Sequence, residues 1–318
     1  MNKHDIKILY LGTPEISAKV LEKLLALNYN IVGVVTQEDK PSGRNLKLKP
    51  TPVKEVAILH NIPVFQPKKL NLEYDFISEM QPDLLLTMAY GQIISTKILE
   101  MTKLPPLNLH GSLLPKYRGA SPIQAALLNG DKKSGITLME MVKEMDAGKM
   151  FNKTEVEISL DDNFDTLSDK LVDASVKCFD EAIQDIIDGK NLGEEQNDSE
   201  ATFTSKITVE DQVINFEGEG NAIQNKIRAL NSEPGTYFVF NDVKYKVGRA
   251  IFEEKNVKNT NIVEQYDKNG FRVSCKNGLI SILEIQKPGK KMMPIKDFYN
   301  GNQKLFEVGQ EIKWLKLT

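Results

Sequence analysis

The chain has 318 residues, 41% hydrophobic and 27% charged, a length and balance that suit two soluble cores and exclude fibrous and disordered classes. No apolar run approaches the roughly 18 residues of a membrane span. The two distant cysteines, Cys178 and Cys275, and three histidines offer neither a disulfide framework nor zinc-ligand spacing, and point to buried thiols in a reducing compartment. The formal net charge of −3 speaks against a nucleic-acid partner for the chain as a whole, but residues 1–205 carry 23 Lys and Arg against 30 Asp and Glu, and residues 206–318 carry 18 against 14. A basic C-terminal part can track a phosphate backbone although the whole is acidic.

Met1-Asn-Lys-His-Asp5 runs straight into a strand-like Ile6–Leu11 with no leader-like pattern, which points to the cytoplasm. Aliphatic strands are expected at Ile6–Leu11, Ile31–Thr36, Asp83–Thr87, Leu107–His110 and Gly135–Met141, with helix-like stretches between them. That alternation predicts a Rossmann-like, mostly parallel α/β sheet with helices on both faces. Thr13-Pro14, Thr51-Pro52 and Ser121-Pro122 each place a capping hydroxyl before a proline suited to the first helical turn, and Gln124 would complete a capping box with Ser121. The first turn, Leu11-Gly-Thr-Pro14, has one glycine where a dinucleotide turn needs several, so a dehydrogenase loses its main support. The loop at 38–50 is long for a strand-to-helix connection, carries Lys40, Arg44, Lys47 and Lys49, and with Pro41 and Gly43 is expected to hold little regular structure.

A helix predicted from Phe164 to about Asp188 ends at Gly189, and the polar stretch beyond it reads as an exposed linker over 190–205. Residues 1–189 thus form one domain and 206–318 a second. The second is expected to hold a helix at Asn221–Leu230 and strands at Gly235–Phe240, Val243–Phe252, Ile262–Tyr266, Phe271–Cys275 and Leu279–Ile285. Short strands with Asn-Asp and Asn-Gly turns suggest a small antiparallel β-barrel. Lys287, Lys290 and Lys291 would stand on one of its hairpin tips.

Chemistry concentrates in Asn108-Leu-His-Gly-Ser-Leu-Leu-Pro115, followed by Arg118-Gly119 and by Asp146 in Met145-Asp-Ala-Gly148. On one strand, a spacing of two sends Asn108 and His110 to the same face. Donors there could meet an oxygen that becomes negative as an amine adds to an acyl carbon. A carboxylate such as Asp146 could accept the proton the amine must lose. Taken singly, His110 could be a satisfied core histidine and Asp146 a turn residue. Together they suit acyl transfer to an amine.

The Asn-x-His-x-Ser-Leu-Leu-Pro run, the Arg-Gly pair and the later Asp resemble the folate-dependent formyltransferases. Leu11-Gly-Thr-Pro14, Val35-Thr-Gln37, Pro41-x-Gly-Arg44, Pro50-x-Pro52-Val-Lys54, Phe65-Gln-Pro67 and Ala89-Tyr-Gly91 extend the likeness, in order, toward the branch that formylates charged initiator tRNA for translation initiation. The resemblance implies Asn108, His110 and Asp146 as the catalytic group, and 10-formyltetrahydrofolate bound by Ala89, Tyr90, Gly91, Ser112, Leu113, Leu114 and Pro115. It implies no metal. Methionyl-initiator-tRNA would be the acceptor, met by Lys40, Arg44, Lys47, Lys49, Lys287, Lys290 and Lys291, with the C-terminal barrel of the oligonucleotide/oligosaccharide-binding (OB) type. Pro105-Pro106, Lys149 and Asn215-Phe216 depart from the family pattern, at positions that bear on loop shape rather than on the Asn–His–Asp set. A formyltransferase acting on a nucleotide-linked amino sugar is the alternative; a non-enzymatic RNA-binding protein would leave that set unexplained.

Overall fold

The computed structural model describes residues 1–42 and 47–313, which fall into two compact units. The first comprises Met1–Pro122, Lys133–Glu157 and Ser168–Thr204. In chain order its elements are β1 (Ile8–Gly12), α1 (Glu15–Ala26), β2 (Ile31–Val35), β3 (Lys40–Ser42), β4 (Lys47–Lys49), α2 (Pro52–Leu59), β5 (Val64–Phe65), α3 (Asp75–Met80), β6 (Leu84–Met88), α4 (Thr96–Leu99), β7 (Leu107–His110) and β8 (Arg118–Gly119). After α5 (Pro122–Leu128), which clusters with the second unit, come β9 (Lys133–Glu140), β10 (Met150–Glu157), α6 (Phe164–Ile187), whose first turn also clusters with the second unit, and β11 (Phe203–Thr204).

The main sheet runs β10-β9-β7-β6-β1-β2-β5, parallel from β7 to β5, with β9 and β10 added antiparallel at one edge. β1 and β6 are buried along their whole length, as the mostly apolar runs Ile8–Gly12 and Leu84–Met88 require when helices cover both faces. From β1 the chain winds out through β2 to β5, then returns to β6 on the other side of β1. That reversal opens a crevice at the carboxyl ends of the strands, where open α/β sheets bind ligands.

Two local expectations change. Thr51 caps α2, its hydroxyl accepting from the Lys54 amide at 3.2 Å, but α1 has Pro14 at its cap position and no side-chain cap. Thr13 points elsewhere. Its Oγ1 donates to the Tyr90 carbonyl at 2.8 Å, which ties the β1 turn to the β6 turn instead of closing a helix. The 38–50 segment is not irregular throughout: β3 and β4 form an antiparallel pair with Lys40 opposite Lys49 and Pro41 opposite Leu48. Backbone pairing at both ends of the segment outweighs the proline, which needs no ladder donor on an edge strand.

The second unit (Ile123–Lys132, Ile158–Leu167 and Ser205–Thr318) contains α7 (Gly220–Leu230), β12 (Thr236–Phe240), β13 (Val243–Glu254), β14 (Val263–Asp267), β15 (Gly270–Cys275), β16 (Gly278–Gln286), β17 (Met293–Pro294) and α8 (Ile295–Asn300). Its antiparallel sheet runs β12-β13-β16-β15-β14, with β17 on β16. Asn241 and Asp242, at φ 49° and 59°, make the two-residue β12–β13 turn in the left-handed geometry that suits the twist of a hairpin. The core is aromatic: Phe216, Tyr245, Phe271 and Phe306 all pack around Phe238. Removing Phe238 would leave a cavity costing about 3–5 kcal/mol.

Candidate active site

β7 carries Asn108 and His110 toward the carboxyl edge, Asn108 beside Thr87 of β6 and His110 beside Thr137 of β9. His110 is buried, and its Nε2 lies 2.9 Å from the Tyr117 carbonyl. A carbonyl only accepts, so Nε2 carries the proton of the neutral ring and Nδ1 is left with its lone pair. Nδ1 is 3.7 Å from Asp146 Oδ1, too long for a direct hydrogen bond and close enough for charge attraction once the ring is protonated. The other carboxylate oxygen, Oδ2, accepts the Gly119 amide at 2.8 Å. Asp146 holds this position from a left-handed backbone, φ 52°. The half-buried Asn108 amide makes no hydrogen bond to another described residue, so its donors are free for a ligand.

Backbone strain gathers around these groups. Ala89 (φ 51°), Tyr117 (φ 63°) and Asp146 (φ 52°) are non-glycine residues in the left-handed region, and Gly91 and Gly119 lie at 90° and 115°. Each such non-glycine residue costs on the order of 1–3 kcal/mol and persists only where its surroundings fix it. Here polar contacts do so. The Tyr90 carbonyl accepts from Thr13 Oγ1 at 2.8 Å and from Gln37 Nε2 at 3.2 Å. Ser112 Oγ donates to the Lys116 carbonyl at 2.6 Å, and Thr137 Oγ1 donates to the Ser112 carbonyl at 2.7 Å while accepting the Leu114 amide at 3.0 Å.

Among the residues expected to bind the co-substrate, Tyr90, Ser112 and Leu114 have buried side chains. Tyr90 packs in the cluster of Leu9, Leu11, Leu85 and Ile98, and burial pushes its phenol pKa up. Their backbone, with Leu113, Pro115, Ala89 and Gly91, forms the turns after β6 and β7; Leu113 and Pro115 stay partly open. Tyr117, Gly119 and Gln37 bond to groups of this site although the sequence assigned them no role beyond marking the places through Arg118-Gly119 and Val35-Thr-Gln37, and Thr13, expected to cap a helix, bonds the Tyr90 carbonyl instead.

The segment 190–205, expected to be a linker, lies along the first unit up to Thr204. β11 pairs in parallel with β8, and the Gln196 side chain donates to the carbonyls of Asp146 and Gly148, both at 2.8 Å.

The basic residues fall into two sets, one in each unit. Lys40 and Lys49 are exposed on the β3–β4 pair with Lys47 in β4, while Arg44 lies outside the described residues. The base of that pair is fixed: Lys54 Nζ reaches Asp39 Oδ2 and Gln66 Oε1 at 2.7 Å each, and Gln66 Nε2 donates to Asp39 Oδ1 at 2.7 Å. The Lys54 ammonium and the Gln66 amide hold the Asp39 carboxyl below its ordinary range. Lys287, Lys290 and Lys291 stand exposed in the β16–β17 turn, with no ion pair among the described residues.

Residues 6–183 match the formyl transferase family and residues 206–303 the formyl transferase C-terminal domain. A methionyl-tRNA formyltransferase of Lactobacillus johnsonii is 39% identical over 96% of this chain and 98% of its own length. That of Kosmotoga olearia is 41% identical over 91% and 94%. Among solved structures, the N-formyltransferase of Helicobacter canadensis in complex with folinic acid and dTDP-3-aminofucose superposes with a TM-score of 0.66 over 89% of this chain and 99% of that one, at 22% identity, a likeness of fold. With both of its parts matched and relatives this similar along nearly its whole length, the chain belongs to the formyl transferase family.

Proposed function

We propose that the chain transfers the formyl group of 10-formyltetrahydrofolate to the free α-amine of methionyl-initiator-tRNA, as a cytoplasmic enzyme. The chemistry is supported by an oriented His110 with the Asp146 carboxylate 3.7 Å from its Nδ1, and by Asn108, two positions earlier on the same strand, whose side chain has no hydrogen-bond partner among the described residues. The methionyl-tRNA formyltransferases at about 40% identity support the choice of acceptor. Residues 1–189, with the segment up to Thr204 that lies along them, would perform the transfer, and the basic 206–318 part engage tRNA.

Asn108 donates to the formyl oxygen as the amine adds and that oxygen becomes negative. Proton flow follows from the tautomer of His110. The amine's proton leaves toward Nδ1 or Asp146, directly or through one water, because these are the acceptors facing the site. Once charged, the imidazole has a second donor at Nδ1, and the Asp146 charge stabilises it there. His110 thus supports the oxyanion only in its protonated form, whereas Asn108 does so throughout. The formyl carbon–nitrogen bond to the folate then breaks as that nitrogen takes up the proton held by His110 or Asp146, leaving tetrahydrofolate and formylated methionyl-tRNA. The turns at Ala89–Gly91 and Ser112–Pro115 would receive the pterin against their surface, since the Tyr90, Ser112 and Leu114 side chains are buried.

Lys40, Lys47, Lys49 and Arg44 of the 38–50 arm, together with Lys287, Lys290 and Lys291, would contact the tRNA through phosphates or bases. The test is to incubate the protein with 10-formyltetrahydrofolate and, separately, charged initiator tRNA, charged elongator methionine tRNA and a dTDP-linked amino sugar. Formylation of the initiator tRNA is expected to dominate; preferred formylation of the sugar would overturn the acceptor assignment.

A further inference from the structure

The turn after β7 touches both ionisable members of the proposed catalytic group through its backbone: the Tyr117 carbonyl takes His110 Nε2–H, and the Gly119 amide binds Asp146 Oδ2. The segment at 196–204 grips this turn in its own turn. Thr202 Oγ1 accepts the Tyr117 amide at 2.8 Å, and its carbonyl accepts the Arg118 amide at 2.8 Å. Thr204 Oγ1 donates to the Arg118 carbonyl at 3.3 Å and accepts the Ser121 amide at 3.1 Å.

Gln196 closes the circuit. Its Nε2 donates one proton to the Asp146 carbonyl and one to the Gly148 carbonyl, both at 2.8 Å. Its Oε1 accepts Arg118 Nε and Nη2 at 3.0 and 2.9 Å. All donors and acceptors of this amide are therefore used, and its orientation is fixed, because the guanidinium can only donate and the two carbonyls can only accept. Arg118, 5% exposed, is anchored further by Asp198 at 2.7 Å.

We propose that Gln196 is a positioning residue for formyl transfer, acting as a bridge that locks the strained Asp146 turn to Arg118 and so sets the carboxylate against His110. The inference rests on Asp146 acting in the reaction, as proposed above. A turn held at φ 52° relaxes unless something opposes it, and the two Gln196 donors bind that turn's own carbonyls. A displacement of about 1 Å at a reacting group can cost on the order of 10²-fold.

Two substitutions separate the halves of the bridge. Gln196→Ala removes it entirely. Gln196→Glu keeps an acceptor for Arg118 but replaces the Nε2 that donates twice to the Asp146 turn with a carboxylate oxygen that repels those carbonyls. Both variants are expected to lower kcat about 10- to 100-fold with KM for folate and tRNA within about twofold. In an Asp146→Asn background the same changes should cost little more, because the group they position is already disabled. A loss that multiplies fully in that background would overturn the inference while leaving Asp146 catalytic. So would a wild-type kcat in both single variants, or an effect confined to KM. An active Asp146→Asn enzyme would instead remove the catalytic assignment of Asp146, and this inference with it.

Discussion

Gly119 offers the sharpest physical test of how the site is held. Its φ of 115° is open to glycine and strained for other residues, and a Cβ built on it would overlap the Thr204 carbonyl oxygen, a backbone atom that cannot swing aside. Gly119→Ala therefore combines backbone strain of about 1–3 kcal/mol with overpacking of about 1–3 kcal/mol. For a unit of this size each kcal/mol lowers Tm by about 2–4 °C, so a fall on the order of 5–20 °C is expected. Relief comes by parting β8 from β11, which draws the Gly119 amide off Asp146 Oδ2, so kcat should fall as well. Gly189→Ala is the control, since Gly189 also has positive φ, 68°, but a Cβ there meets nothing within 4 Å. It should cost only about 1–2 kcal/mol with kcat unchanged. Thermal and urea unfolding, read beside formyl-transfer rates, make the comparison. If Gly119→Ala melts with Gly189→Ala and keeps the wild-type kcat, the close packing of the turn against 202–204 does not position the site.

Asn108→Ala should lower kcat about 10²–10³-fold, as expected for losing one donor to a developing oxyanion, with folate affinity little changed; steady-state kinetics with less than a threefold loss would exclude that role. Replacing Lys287, Lys290 and Lys291 together by alanine should weaken use of charged tRNA and flatten its dependence on salt, and an unchanged slope in a salt series would remove this turn from the tRNA surface. Lys54→Met should raise the carboxyl pKa of Asp39, followed by NMR titration. In the wild type that carboxyl titrates below its unfolded value of about 3.9, so its pairing stabilises the arm above that pH and is lost as pH falls through the lowered folded value. A wild-type titration at or above the ordinary value would show that the Lys54–Asp39–Gln66 contacts do not persist in solution.

Much of this architecture was legible in the residues. The mostly apolar runs at Ile8–Gly12 and Leu84–Met88 announce central parallel strands because both faces of such strands are covered, and the spacing of Asn108 and His110 places both on one face of β7. The approach of Asp146 to His110 was available only through resemblance, since a local pattern does not reveal a contact across 36 positions. Backbone roles left still less trace. Tyr117 serves through its carbonyl and Gly119 through its amide, so neither side-chain chemistry advertises the part. Gln196 lies in a polar run whose composition reads as linker, because its partners are 48 to 78 residues away in sequence. Thr13 was misassigned for a related reason: Thr-Pro is a sound cap signal, but the Tyr90 carbonyl competes for its hydroxyl. Strand pairing across 40–49 escaped because Lys40-Pro-Ser42 and Lys47-Leu-Lys49 have no apolar face to reveal a period.

The central claim is that the Asn108–His110–Asp146 site formylates charged initiator tRNA, and single-turnover transfer tests it most directly. Wild-type protein and Asp146→Asn, each in excess over methionyl-initiator-tRNA and saturated with formyl-labelled 10-formyltetrahydrofolate, would be quenched at intervals and the label on the methionine amine measured. The wild type should transfer label, and Asp146→Asn should do so about 10²–10⁴-fold more slowly while still binding both substrates, because it keeps the side chain's shape and loses the proton acceptor. No label on the tRNA with the wild type, or a variant rate within about tenfold of it, would contradict the account.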